Sequence, residues 1–216
     1  MRVLITGANR GIGRALLDGL DARGDRVTGT ARGADAGPGW LRVDVADPAS
    51  VAAMGRAFGE EPLDLLVCNA GVYPDKGQRL ADGYPAGLWA ETFAVNVTGV
   101  FLSVQALLPA LARRRGKVAI LSSRMGSQAL APGGSLIYRA SKAAALNLGR
   151  NLAAELAPEG IAVGIYHPGW VRTAMGGAAA DLDPAVAAAG LMARFDALSL
   201  ATTGCFEDHA GRAILL

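Results

Sequence analysis

Along the whole chain, short continuous runs of apolar residues are followed by longer stretches in which apolar residues recur with helical periodicity. Residues 2–6, Arg-Val-Leu-Ile-Thr, are β-branched and apolar, which is typical of a strand buried on both faces of a parallel sheet. Residues 11–23 follow with apolar side chains at helical spacing, and Gly24 marks the end of that helix. The first thirty residues therefore predict a strand, a helix and the start of a second strand.

The pattern repeats to the end of the chain. Asp47-Pro48 and Asp183-Pro184 each place an N-cap before a proline at the first helical position. Further strands are predicted at 26–31, 41–45, 64–68, 117–122, 161–166 and 213–216, and further helices at 47–58, 88–113, 135–156 and 183–198. Strand–helix repeats with short links indicate one doubly wound α/β domain over residues 1–216, with a parallel sheet covered on both faces.

Composition excludes several classes of protein. Hydrophobic residues make up 51% of the 216 and charged residues 19%, which is too apolar for a disordered chain. The net charge is +2 and the arginines are scattered, so we expect no nucleic-acid partner. Two cysteines and two histidines predict neither a disulfide scaffold nor a metal site. No secretory signal precedes the first strand, and we expect a cytoplasmic protein.

One segment is long and uncharged enough to cross a bilayer. Residues 92–112 carry no formal charge. They include Asn96, Gln105 and Pro109, which is polar for a single span. The pattern favours a helix buried against the sheet or a partner subunit, and no membrane span.

A glycine-rich turn joins the first strand to the first helix. In Thr6-Gly7-Ala8-Asn9-Arg10-Gly11-Ile12-Gly13, Gly7 permits the turn, Gly11 allows close approach of a pyrophosphate, and Gly13 lets the helix pack on the sheet. The helix N-terminus presents free N–H groups to an anion. This arrangement predicts a dinucleotide-binding loop.

The end of the second strand indicates which dinucleotide is bound. Residues 28–32, Thr-Gly-Thr-Ala-Arg, carry no acid that would bind a ribose 2′-hydroxyl. Arg10 and Arg32 can instead bind a 2′-phosphate. NADP(H) is therefore preferred, with NAD(H) as the alternative.

A tyrosine and a lysine share one face of a predicted helix. Tyr138 and Lys142 lie four residues apart. A nearby ammonium and a nicotinamide ring are expected to lower the pKa of the phenol toward neutrality and make it an acid–base group. Ser122 and Ser123 end a neighbouring strand, and only one of the two can face a substrate.

The order of these motifs resembles the short-chain dehydrogenase/reductase family over nearly the whole chain. The resemblance implies a Rossmann-type fold and hydride transfer between a nicotinamide cofactor and a carbonyl or alcohol carbon. It implies a catalytic set of Asn96, Ser123, Tyr138 and Lys142. It implies cofactor contacts from the glycine loop (Gly7, Asn9, Arg10, Gly11, Ile12, Gly13), from Arg32, Asp44, Val45, Asn69, Ala70 and Gly71, from Tyr138 and Lys142, and from Pro168, Gly169, Val171 and Thr173.

The resemblance also gives each catalytic residue a role. Tyr138 exchanges the proton, Ser123 stabilises the substrate oxygen, Lys142 binds the nicotinamide ribose and lowers the pKa of the tyrosine, and Asn96 holds a water in a proton relay. The interval from Ser123 to Tyr138 is two residues longer than in many members, so Ser122 and Ser127 remain alternatives to Ser123.

The motifs resemble most closely the C-factor-like carbonyl reductases. That branch includes signalling members, so a cofactor-binding signalling or regulatory protein with little turnover is the alternative function. The resemblance implies a homodimer or homotetramer through the helices predicted at 88–113 and 135–156, where Ala143, Ala144 and Ala145 would allow close approach. The substrate loop would be residues 172–183. We expect it to be mobile, without a polar anchor, and to cover an apolar pocket with contacts from Trp170, Met175 and Tyr84.

Overall fold

A computed structural model of the protein describes residues 1–33, 37 and 39–216. Within them a seven-stranded parallel sheet has the order β3-β2-β1-β4-β5-β6-β7. The strands are β1 Arg2–Ile5, β2 Arg26–Ala31, β3 Trp40–Arg42, β4 Leu65–Cys68, β5 Lys117–Leu121, β6 Ala162–His167 and β7 Phe206–Asp208. Val3 of β1 pairs with Val27 of β2 and Leu65 of β4. The chain order therefore reverses between β1 and β4.

Helices cover both faces of this sheet. They are α1 Gly11–Ala22, α2 Pro48–Phe58, α3 Ala86–Phe93, α4 Gly99–Arg114, α5 Leu136–Leu156 and α6 Pro184–Ala197. Leu16 and Leu20 of α1 pack with Phe195 of α6 on one face. Met54 of α2 packs with Leu107 of α4 on the other. Burial from both sides explains why the strands have no polar alternation, and it confirms the doubly wound α/β fold.

The two Asp-Pro signals begin helices as predicted. The Asp47 carboxylate accepts a hydrogen bond of 2.9 Å from Ala49 N at the start of α2. Asp183 accepts one of 2.8 Å from Ala185 N at the start of α6. Each carboxylate satisfies a backbone donor that the first turn of a helix leaves free.

The predicted last strand at 213–216 is wrong. The seventh strand is β7, which is an edge strand. Ala213 forms only an isolated antiparallel bridge to Glu207. Because Glu207 and Asp208 put acidic side chains into β7, it lacks the apolar run by which the other strands were recognised.

The long apolar helix is interrupted by a π-helical turn. Residues 86–114 form one continuous helical stretch, in which α3 and α4 are joined by the π segment Ala94–Thr98. In the described part of the chain, it alone is long and apolar enough to cross a membrane, with a mean hydropathy of 1.6. Its buried residues, among them Val104, Leu107 and Leu111, lie in the core beneath the sheet. It packs as a core helix.

Candidate active site

A large cavity lies at the carboxyl ends of β1, β4 and β5. Its volume is about 1670 Å³, above the roughly 300–1,000 Å³ of a typical small-molecule pocket. It begins at the glycine loop and extends past the ends of β4 and β5 to Tyr138 and Lys142. This is where chain order reverses, and ligands of doubly wound sheets bind at that point.

The glycine loop has the geometry that an anion-binding turn needs. Gly7 and Gly11 have φ values of +66° and +56°, in a region of backbone conformation that residues other than glycine rarely adopt. A Cβ on Gly13 would lie 2.4 Å from both Asn69 Nδ2 and Gly7 O. Arg10, the N-cap of α1, makes no side-chain capping bond, and no acid lies in the first turn. The N–H groups of that turn are therefore left for a ligand.

Asn69 braces this loop from the end of β4. Its Nδ2 donates to Thr6 O and Gly7 O, both at 2.9 Å. The Thr6 hydroxyl accepts from Asn69 N at 3.0 Å and from Ala70 N at 3.1 Å. These bonds fix the loop to the end of β4.

Most of the expected cofactor contacts line the cavity. Those that do are Gly7, Asn9, Arg10, Gly11, Ile12, Arg32, Asp44, Val45, Asn69, Ala70, Gly71, Tyr138, Lys142, Pro168 and Thr173. Gly13 does not, because it is packed beneath the loop. Val171 is buried in a bridge with Leu182, and Gly169 faces a second, smaller cavity.

The Asn96 side chain links the turn after β4 to α5. It is 1% exposed in the π segment. Its Oδ1 accepts from Val72 N at 2.9 Å, and its Nδ2 donates to Val72 O at 2.9 Å and Ser141 Oγ at 3.0 Å. Both amide hydrogens are used within the protein. The side chain therefore holds the turn after β4 against α5, and none of its described bonds reaches Lys142.

The three candidate serines point in different directions. Ser123 lies near enough to Tyr138 to lower the pKa of the phenol, and its hydroxyl oxygen accepts from Met125 N at 3.1 Å. The Ser122 hydroxyl donates instead to the main-chain oxygen of Lys142 at 2.9 Å. Ser122 lines the cavity, whereas the buried Ser123 and Ser127 are not among the residues that line it. Of the three, Ser123 has its hydroxyl beside the phenol.

Tyr138 and Lys142 lie one turn apart on α5 and both line the cavity. Lys142 Nζ donates to Leu121 O at 2.8 Å, at the end of β5. It lies 5.7 Å from the centre of the Tyr138 ring. Both side chains are buried.

Lys142 is not among the groups that set the pKa of Tyr138, and the lowering expected beside a bound nicotinamide stays a prediction. Burial raises the pKa of Tyr138 to about 12, against a lowering influence from Ser123. Burial also lowers the pKa of Lys142 to about 8. The ammonium is held by a carbonyl and faces the ring, so desolvation decides the ionisation of the phenol.

Two residues beside Tyr138 escaped the sequence analysis. The Tyr73 ring stacks on the Tyr138 ring with centroids 4.1 Å apart. The Asp75 carboxylate accepts hydrogen bonds from the first turn of α5. Both follow the Asn69-Ala70-Gly71 turn in a stretch without periodicity. The one feature of the sequence that could have indicated them is their position, just after the Asn69-Ala70-Gly71 turn at the edge of the sheet where ligands bind.

The segment over the cavity is anchored more firmly than predicted. Trp170 Nε1 donates to Gly176 O at 3.0 Å, and the Thr173 hydroxyl accepts from Gly176 N at 3.1 Å. The Arg172 guanidinium donates to Asp181 O at 3.3 Å. The expectation of a loop without a polar anchor is therefore wrong. Of the three expected apolar contacts, Met175 lines the cavity, while Trp170 and Tyr84 do not.

Comparison with known proteins agrees with this geometry. Residues 1–183 match the short chain dehydrogenase family model. The chain is 36% identical over 195 residues to the 3-oxoacyl-acyl-carrier-protein reductase of Escherichia coli (strain K12), covering 82% of this chain and 76% of that protein. It is 36% identical over 168 residues to C-signal of Myxococcus xanthus, covering 71% and 92%.

Solved structures resemble the whole chain. An NADPH-bound carbonyl reductase from chicken fatty liver superposes with a TM-score of 0.91 at 28% identity, covering 100% of this chain and 98% of that one. The carbonyl reductase Sniffer of D. melanogaster gives 0.93 at 25% identity, covering 100% and 99%. The chain therefore belongs to the short-chain dehydrogenase family, near its carbonyl reductases, and is an NAD(P)-dependent oxidoreductase acting on hydroxyl and carbonyl groups.

Proposed function

We propose that the protein reduces a small-molecule carbonyl compound with NADPH, and in reverse oxidises the alcohol, with Tyr138 as the proton donor and acceptor. The observation that carries this proposal is that Tyr138, whose pKa the neighbouring Ser123 acts to lower, lines the cavity that begins at the glycine loop. A bound nicotinamide supplies the hydride. The residues of the chain then have to hold the substrate oxygen and supply one proton.

The state of Tyr138 suits the reducing direction. With a pKa raised to about 12, its hydroxyl is protonated at neutral pH, so a donor is ready where an alkoxide forms. Ser123 lies beside it and provides a second hydrogen bond to the same oxygen. That bond strengthens as negative charge develops, which stabilises the transition state more than the ground state.

Lys142 is proposed to bind the nicotinamide ribose. Its Nζ has one described hydrogen bond, to Leu121 O, and an ammonium offers three donors. Gly71 and Asn96 lie close by, since a Cβ on Gly71 would be 3.3 Å from Asn96 Oδ1 and 3.5 Å from Lys142 Nζ. Asn96 then acts by fixing the turn beside the ammonium. A water relay through Asn96 stays a prediction.

The cavity favours the phosphorylated cofactor. Arg10 and Arg32 both line it and are exposed at its glycine-loop end, and no ion pair involves either of them within the described residues. Two guanidinium groups there fit a 2′-phosphate better than a free hydroxyl. NADP(H) is therefore the proposed cofactor, with NAD(H) as the weaker one.

A signalling role is the second candidate, because C-signal of Myxococcus xanthus is 36% identical over 71% of the chain. A protein that only bound the cofactor would not need a phenol that lines the cavity with a serine hydroxyl beside it. Turnover separates the two functions.

A homodimer through α4 and α5 stays a prediction. Phe101 on α4 is 41% exposed, as an interface residue would be in the free chain. Ala145, which we expected to help in helix approach, is fully buried in the chain's own core and is excluded from such a contact. Sedimentation of the wild type and of Phe101→Glu tests this interface.

The experiment that tests the proposed function has two stages. Fluorescence titration with NADPH and NADH measures both dissociation constants, and a panel of aldehydes and ketones then measures loss of NADPH absorbance. We expect tighter NADPH binding and turnover of at least one carbonyl class. Tight binding with no turnover across the panel would favour the signalling protein.

A further inference from the structure

The segment that follows β4 reaches across the cavity to the first turn of α5. Asp75 has 0% exposure, and its Oδ2 accepts hydrogen bonds from Ile137 N at 2.8 Å and Tyr138 N at 3.3 Å. Asp75 is therefore 62 and 63 residues away in sequence from the two residues whose N–H groups it binds. Ser135, the N-cap residue itself, makes no side-chain capping bond. Asp75 takes over the capping of the helix that carries the phenol.

Tyr73 fixes the same turn from its other side. Its ring stacks on the Tyr138 ring at 4.1 Å with an interplanar angle of 23°. Its hydroxyl is hydrogen-bonded to the Ser135 hydroxyl. Ser135 has a φ of +48°, a conformation unfavourable for serine that persists only where surrounding contacts impose it.

Capping of α5 does not require a charged side chain at position 75. Its Oδ1 is buried without a hydrogen-bond partner, and no ion pair within the described residues includes it. A buried carboxylate without a counter-charge is costly. A neutral amide oxygen could accept the same two N–H bonds. Burial is the main cause of the raised pKa of Tyr138, and the negative charge of Asp75 raises it further.

We propose that Tyr73 and Asp75 are positioning residues for the proton donor, which they hold in the cavity through the stacked ring and the capped first turn. The proposal rests on the proposed function of Tyr138. It adds that the Asp75 charge disfavours the phenolate and so keeps the phenol protonated as a donor.

The groups that face the phenol come from three elements. Tyr73 and Asp75 belong to the segment after β4, Ser123 to the end of β5, and Lys142 to α5 itself. Asp75 and Tyr73 raise the pKa of Tyr138, and Ser123 lowers it. Removing the Asp75 charge alone should therefore lower that pKa.

Asp75→Asn removes the charge and keeps an acceptor for the two N–H groups. We expect the Tyr138 phenol to ionise at a lower pH in this variant, while kcat/KM for carbonyl reduction at pH 7 stays within about threefold of the wild type because the cap is kept. A residue that acts only through the cap would leave the ionisation of the phenol unchanged.

Asp75→Ala removes the acceptor as well. Misplacing a reacting group by about 1 Å can cost about a hundredfold in rate, so kcat should fall by roughly ten- to a hundredfold while the NADPH dissociation constant stays within about threefold. Tyr73→Phe keeps the stacked ring and should lose little. Tyr73→Leu loses the ring and should lower kcat more. Asp47→Asn is the matched control, since Asp47 caps α2 outside the cavity.

A spectroscopic titration needs no turnover. After a pH jump, absorbance of the phenolate near 295 nm is compared between variants with and without Tyr138→Phe, so that only Tyr138 contributes to the difference. We expect its midpoint to fall in Asp75→Asn and to be unchanged in Asp47→Asn.

The outcomes separate this inference from the proposed function. If Tyr138→Phe abolishes reduction but the Asp75 variants match the wild type in rate and midpoint, the inference is wrong and the proposed function stands. If the midpoint shifts and the wild type reduces no carbonyl, Asp75 does control the phenol while the proposed function fails.

Discussion

The two ends of the cavity are built in different ways. At the glycine-loop end, a strand, a turn and a helix follow one another within residues 2–22, and Asn69 is the main support from outside. At the catalytic end, Ser123, Tyr138, Tyr73 and Asp75 come from three separated segments. The first end depends on local backbone geometry and the second on contacts between distant segments. Substitutions should therefore affect binding at one end and chemistry at the other.

Tyr138→Phe should separate the two ends of the cavity most clearly, because it should affect catalysis and leave cofactor binding nearly unchanged. Removing the hydroxyl deletes the proposed proton donor but keeps the buried ring. Turnover should fall by about a thousandfold or more, in line with the loss of a general acid and of a hydrogen bond to developing charge. The NADPH dissociation constant should stay within about threefold of the wild type. Steady-state rates and fluorescence titration measure the two quantities, and retained turnover would refute the assignment.

Arg32→Ala tests the opposite end. Loss of a guanidinium from a phosphate site should weaken NADPH binding by roughly ten- to a hundredfold. NADH binding should be nearly unchanged, because NADH has no 2′-phosphate. Arg56→Ala is the control, since Arg56 is an exposed residue of α2 that does not line the cavity. Equal weakening for both cofactors would mean that Arg32 does not read the 2′-phosphate.

Gly13→Ala tests the close packing of the glycine loop. The added Cβ would lie 2.4 Å from Asn69 Nδ2 and Gly7 O, so the loop and the turn after β4 have to move apart. We expect a loss of about 1–3 kcal/mol in the free energy of unfolding together with weaker NADPH binding. Urea unfolding and cofactor titration measure both.

Gly87→Ala is the matched control for Gly13. A Cβ there would meet nothing within 4 Å, and Gly87 lies in α3. The free energy of unfolding should stay the same or rise by up to about 1 kcal/mol. Similar losses in both variants would show that the contact of Gly13 with Asn69 is unimportant.

The pH dependence of stability tests the burial of Lys142. Because burial lowers its pKa to about 8 in the folded protein, the unfolded chain binds more protons above pH 8. The unfolding free energy of the wild type should then rise from pH 8 to 10 relative to Lys142→Met. We expect the difference between the two to change by about 2 kcal/mol over that range. A difference independent of pH would mean that the ammonium is not desolvated.

The sequence was most informative where structure is set by neighbours along the chain. The buried strands, the Asp-Pro helix starts and the glycine loop follow from local sterics and hydrogen bonds, and all were predicted correctly. The edge strand β7 was missed because Glu207 and Asp208 hide its strand pattern.

The ionisation of the catalytic end was harder to predict. Spacing placed Lys142 one turn from Tyr138 but could not show that its ammonium is bound by Leu121 O. Asp75 contacts positions 137 and 138 across 62 and 63 residues of chain, and no periodicity records such a contact. Desolvation depends on what packs around a group, and that becomes known only with the fold.

Transfer of a labelled hydride tests the central claim most directly. Two stereoisomers of NADPH are prepared, each with deuterium at C4 of the nicotinamide. Each is incubated with the wild-type protein and a carbonyl compound from the panel that the protein reduces. The alcohol product is then analysed by mass spectrometry. We predict one deuterium on the former carbonyl carbon from one stereoisomer only, and no labelled product with Tyr138→Phe. An alcohol without deuterium from either isomer, or labelled equally by the Tyr138→Phe variant, would contradict it.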